Sequence, residues 1–185
     1  MVPRTTLVLA GIMLATMAAR LLPHLPNFTP IEAVALFGGA CVADRRLALL
    51  LPLLALLLSD LLLGFIVYGY GLVYSGMAFV YASVALITAL GMWQLQRRAT
   101  APRIGACALG AASLFFIVTN FGTWLTSGLY PHNASGLLAC YLAGLPFFHY
   151  TLAGTLGYTT LLFGGLALAR RHARTRQLPL SSLPS

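Results

Sequence analysis

Residues 47–63 read LALLLPLLALLLSDLLL, leucine and alanine interrupted only by Pro52, Ser59 and Asp60. Wound as a helix at about 1.5 Å per residue, such a run approaches the roughly 30 Å of a bilayer's hydrocarbon layer. The rest of the chain shares its character. It has 185 residues, 59% of them hydrophobic and 8% charged, and a mean hydropathy of +0.89. Soluble domains carry roughly 25% charged residues because their surface must be hydrated. This chain has too few polar groups for that, so lipid is its expected solvent. The expected fold is a single all-α membrane domain over residues 1–176, followed by a disordered Ser-, Pro- and Leu-rich tail at 177–185.

Outward from this run, apolar segments recur at 7–22, 31–43, 72–95, 104–121 and 150–169, which predicts a six-helix transmembrane bundle. The second segment is shorter than the roughly 20 residues a crossing helix needs, so it tilts or starts within the preceding loop. Residues 137–148 are also short and contain Pro146, and they read as a helix lying over or dipping into one mouth of the bundle. A seventh crossing there would carry the C-terminal arginines to the wrong side. The first run also passes as a cleaved signal, with Arg4 before it and Thr16-Met17-Ala18 near its end. Retention is the reading adopted, because the small-residue stripe described below has no use in a discarded segment.

All eleven basic residues are arginines. Arg4, Arg45 and Arg46, then Arg97, Arg98 and Arg103, then Arg170, Arg171, Arg174 and Arg176 fall on alternate connections, and Arg20 is the exception. By the positive-inside rule the arginine-bearing side is cytoplasmic, and both termini belong to it. The placement at the ends of apolar runs excludes a nucleic-acid surface. The outer connections are then 23–30, 64–71 and 122–149, and they hold His24, His132, His149 and many aromatic residues.

The candidate ligand-binding residues are His24, Asn27, Asp60, Tyr74, Tyr81, Asn120 and Trp124, all mapped to this outer mouth. A carboxylate within a span costs roughly 2.5–3.5 kcal/mol on insertion scales, so Asp60 faces protein or a cavity. Two roles are open to it: a ligand acceptor, or a partner for Arg20. Tyr74 and Tyr81, seven residues apart, share a helix face. Gly11, Ala15 and Ala19 make a small-residue stripe at i, i+4 and i+8, suited to close docking of another helix, within the bundle or from a partner. Cys41, Cys107 and Cys140 form no metal or disulfide pattern and read as small buried residues, Cys140 alone keeping a ligand role open. No catalytic or metal-binding motif is present, and no enzymatic activity, cofactor or metal is expected. The Asn133-Ala134-Ser135 triplet is a glycosylation sequon of a kind that arises often by chance.

These segments resemble the substrate-binding membrane subunits (S components) of energy-coupling-factor vitamin transporters. The residues that carry the likeness are Pro26-Asn27-Phe28-Thr29-Pro30 leading into Ala33-Val34-Ala35-Leu36-Phe37-Gly38-Gly39-Ala40, the Asp44-Arg45-Arg46 turn, Ser59-Asp60-Leu61-Leu62-Leu63-Gly64, and the AxxxA stripe at Ala15 and Ala19. The resemblance implies six helices with cytoplasmic ends in a bacterial inner membrane, and a pocket open to the outside. It also implies a vitamin-like small-molecule ligand, with an energising membrane subunit docked on helix 1. Within that group the chain looks most like small proteobacterial proteins linked to cobalamin uptake. There a cysteine from the third loop or fourth helix can contact the corrin cobalt; residues 64–82 here contain none, and His24 or Cys140 are the available substitutes. Two other classes stand beside this reading: a membrane enzyme with its site at the outer face, and a non-transporting scaffold subunit for which the helix 1 stripe is the whole function.

Overall fold

The structure, a computed structural model, describes residues 3–22, 25–68 and 74–176. Residues 177–185, expected as a disordered tail, and His24 lie outside the described residues. Among the described residues six α-helices follow one another: α1 Arg4–Met17, α2 Ile31–Cys41, α3 Arg45–Leu62, α4 Met77–Leu95, α5 Ala101–Thr126 and α6 Ala134–Arg176. A 3₁₀ turn, Ala18–Leu21, extends α1, and a π-helical turn, Leu63–Tyr68, extends α3. Among the described residues there is no strand. Five of these helices are long and apolar enough to cross a membrane, the exception being α2.

The sequence of α2 is apolar apart from Glu32, and a helix of that kind must be enclosed. Every residue from Ile31 to Gly39 is buried. The other five helices surround it, α4 most extensively. Glycine makes the α2–α4 crossing possible: a Cβ on Gly39 would strike the Thr88 carbonyl, and one on Gly91 would strike the Leu36 carbonyl. Close backbone approach through small residues is the usual way for helices to associate where water cannot drive them together. Gly38 likewise leaves room for the Pro52 ring of α3.

Around this axis the outer helices turn one face inward and leave bulky apolar groups outside. On α1, Leu9, Met13 and Met17 enter the core while Leu7, Val8 and Leu14 stay exposed. On α3, Ala55 and Leu56 are inside, and Leu50, Leu54 and Leu58 are outside. Trp93 is 79% exposed. An apolar exterior this continuous is of the kind that suits a surrounding of lipid chains.

The connections follow local chemistry. Leu25, Pro26, Asn27 and Phe28 make a turn closed by Phe28 N–H donating to the Leu25 carbonyl at 3.0 Å. Pro26 takes its second position and Asn27, at φ +61°, the third, where a left-handed residue is required. Asp44 caps α3, its Oδ1 accepting from Leu47 N–H at 2.9 Å. Asn133, read from sequence as part of a sequon, caps α6 by accepting from Gly136 N–H at 2.9 Å.

The α5–α6 region differs from expectation. The predicted outer connection of 122–149, with a separate short helix at 137–148, is replaced by a tight link at 127–133 between two long helices. Pro146 lies inside α6, which runs unbroken for 43 residues, about 64 Å. Lateral packing carries the helix through the proline. Phe116 of α5 stacks on Tyr141 and Phe148 at centroid distances of 5.8 and 4.9 Å. Tyr141 OH donates to the Ile117 carbonyl at 2.7 Å, and Gly144 lies against the Asn120 amide.

Candidate functional site

Residues 40–43, 95–99 and 166–170 meet at one end of the bundle, around the arginines. At the opposite end the terminal turns of α1 and α3 meet the start of α4, and Asp60 is the point at which they join. Its Oδ1 accepts from Arg20 Nη1 at 2.6 Å, and the same nitrogen reaches Ser59 Oγ at 3.0 Å. Its Oδ2 accepts from Tyr81 OH at 3.0 Å and from Tyr74 OH at 3.3 Å. The ion pair is well withdrawn from the surface, with the Arg20 and Asp60 side chains 13% and 4% exposed. Of the two roles open to Asp60, the pairing with Arg20 is therefore formed. It also explains why Arg20 departs from the arginine pattern of the other ten.

Three of the seven predicted ligand-binding residues, Asp60, Tyr74 and Tyr81, belong to this network. His24 lies outside the described residues, and the other three go elsewhere. Asn27 is exposed in its turn. Asn120 donates its side-chain N–H to the Phe116 carbonyl at 2.8 Å, and its own carbonyl accepts from Cys140 Sγ at 3.3 Å. Trp124 Nε1 donates to the Pro131 carbonyl at 3.0 Å, and its ring meets His132 edge-on at 5.5 Å. Asn120 thus joins α5 to α6, and Trp124 joins α5 to the link between them, instead of turning to Asp60. Cys41, Cys107 and Cys140 are all free thiols, and among the described residues no metal-ligand cluster forms.

Among the cavities formed by the described residues, two lie at opposite ends of the bundle and have room for a small molecule. One, of about 640 Å³, opens beside the Asp60 network, lined by Tyr74, Phe79, Tyr81 and Thr126 among others. It is framed by a Ser75–Thr126 hydroxyl contact of 2.9 Å and by Phe79 seated against Gly122. The other, of about 700 Å³, lies at the arginine-bearing end against Cys41, Gln96, Arg97 and Arg170. Sequence reading did not anticipate that second cavity, because it is built from three helix ends with no motif between them.

Sequence reading also passed over Glu32. It occupies the first turn of α2, 1% exposed, and neither carboxyl oxygen has a hydrogen-bond partner. Against α2 lies a stripe of threonines on α6, Thr151, Thr155 and Thr159, which are 3%, 0% and 3% exposed. The signal was present: an acid two residues after Pro30 inside an apolar run, and threonines at i, i+4 and i+8.

On α1, Gly11 and Ala15 are exposed and Ala19 is half-buried. No atom of another helix lies within 4 Å of a Cβ built on Gly11. This part of the stripe faces away from the bundle, so packing among the described residues does not account for it.

Residues 2–178 match the model of a family of unknown function, DUF6580, and the chain belongs to that family. No curated protein and no solved structure matches it.

Proposed function

We propose that the chain is a multi-pass substrate-capture subunit of a bacterial inner membrane, with six crossings and both termini cytoplasmic. Its ligand is a vitamin or related cofactor precursor, with cobalamin the specific candidate from the resemblance to energy-coupling-factor S components. The observation that carries this reading is the buried Arg20–Asp60 pair, which holds the phenols of Tyr74 and Tyr81 beside an open cavity of about 640 Å³. Pre-ordered polar groups in an otherwise apolar recess give a ligand orientation, and the rings give contact area. The cavity lies at the end opposite the arginines, which is the outer mouth if those arginines are cytoplasmic. A scaffold role has one observation in its favour, the outward-facing Gly11 and Ala15, and the same surface serves an energising partner in the capture reading.

Mass spectrometry of full-length protein purified from vitamin-replete cells tests the proposal. A small cofactor-like molecule should co-purify. Its retention should fall about tenfold in Tyr81→Phe, the loss of roughly one hydrogen bond at the cavity wall. Consistently empty protein would sink the capture reading. In cells, Ala15→Leu should spare ligand retention and abolish uptake, because bulk on that face blocks a docking helix. Uptake unchanged by Ala15→Leu would remove the partner from helix 1.

A further inference from the structure

Glu32 is not part of the Asp60 network, and the capture reading gives it no task. The Arg20–Asp60 pair neutralises itself, so an ionised Glu32 would leave one uncompensated negative charge in the middle of the bundle. Such a charge is strongly disfavoured unless something binds it. The carboxyl is enclosed, with no hydrogen-bond partner, and among the described residues Arg20 is the charged group of another element that acts on it.

The wall facing Glu32 is rich in oxygen. The Thr155 hydroxyl is the side chain of α6 that interacts with the carboxyl. That hydroxyl donates its proton to the Thr151 carbonyl at 2.8 Å, which leaves its lone pairs available. Thr159 Oγ1, on the same face one turn further on, is buried without a partner. Gly154 brings the non-helical backbone of Phe28 and Thr29 against α6 between these threonines. Unwound carbonyls, hydroxyls and one acid inside a membrane bundle are the donor types that hold coupling ions.

From this arrangement we infer that Glu32, with the Thr155–Thr159 face of α6, is a binding site for a monovalent cation, either a proton or Na⁺. A proton neutralises the carboxylate and supplies a donor to the threonine oxygens. Na⁺ neutralises it and takes the same oxygens as ligands. Both meet the single negative charge, and a divalent ion would reverse it.

The test is infrared difference spectroscopy of the full chain in lipid nanodiscs, comparing acid with alkaline buffer and Na⁺ with choline at fixed pH. A protonated-carboxyl band that appears or vanishes with these changes is expected, and it should be lost in Glu32→Gln. Loss of the band on adding Na⁺ at fixed pH identifies sodium; response to pH alone identifies the proton. Should Glu32→Gln fail to fold, Thr155→Val supplies the assignment, because removing the adjacent hydroxyl shifts the same band. A band that persists unchanged through every condition makes Glu32 a permanently neutral packing residue and overturns the inference. So does a carboxylate that stays ionised throughout. No vitamin ligand enters this measurement, so its outcome is separate from that of the capture reading.

Discussion

Asp60 receives three side-chain donors, Arg20, Tyr74 and Tyr81, and removing its charge leaves the guanidinium of Arg20 enclosed with nothing opposite it. Asp60→Asn is therefore expected to lower stability by on the order of 3 kcal/mol, visible as a depressed melting temperature in detergent. Adding Arg20→Gln should recover most of that loss, because the two changes act on one interaction and are not additive. An unshifted melting temperature in Asp60→Asn would show that the pair contributes nothing to the fold. At this scale the sequence was legible where two opposite charges stood out against leucine, as Arg20 and Asp60 do. It was opaque where the partner is a backbone carbonyl. Asn120 and Trp124 look like ligand-binding types, yet Phe116 and Pro131 carbonyls take their donors, and nothing in residue identity reveals that. Glu32 was missed for a related reason: one acid inside an apolar run was averaged into its neighbours.

Helix α2 shows how a short element organises longer ones. Its apolar composition and its shortness, as a run over 31–43, were readable beforehand, but its place at the centre was not, since that depends on which glycines face which. Gly39 and Gly91 settle it by removing the side chains that would hold α2 and α4 apart. Gly91→Ala puts a methyl group into the Leu36 carbonyl, a backbone atom that cannot swing aside. The expected cost is about 1–3 kcal/mol, the range for overpacking in a close-packed interior. The control is Gly105→Ala on α5, where no atom lies within 4 Å of the added carbon and stability should hold or rise. Equal melting temperatures for the two variants would refute the close crossing. Helix α6 teaches the converse. Pro146 is a strong local breaker, and packing against α5, through Phe116, Ile117 and Asn120, keeps the helix whole, a tertiary effect beyond the reach of local propensity.

For the whole molecule, the arrangement of the six helices agrees with the charge pattern in one specific way. The 42–44 and 96–100 connections and the last turns of α6 share an end, the end lined by Arg97 and Arg170. The Asp60 network and the α5–α6 link lie at the other. A bilayer reads that asymmetry as orientation, since arginines near span ends are retained on the cytoplasmic side. At about 64 Å, α6 is twice as long as a hydrocarbon layer is thick, so in the proposed orientation its first turns would project beyond the layer with its arginines at the opposite surface. A cysteine introduced at Ser127, in the α5–α6 link, should then react in intact cells with a thiol reagent that cannot cross the inner membrane. One introduced at Ala99 should react only after permeabilisation, and a reporter fused after Arg176 should behave as cytoplasmic. The native thiols give little background, because Cys107 and Cys140 are buried and Cys41 lies at the arginine-bearing end. Labelling at Ala99 without permeabilisation, together with protection at Ser127, would invert the molecule. The Tyr74–Tyr81 cavity would then open to the cytoplasm, and capture from outside would have to use the cavity beside Arg97 and Arg170.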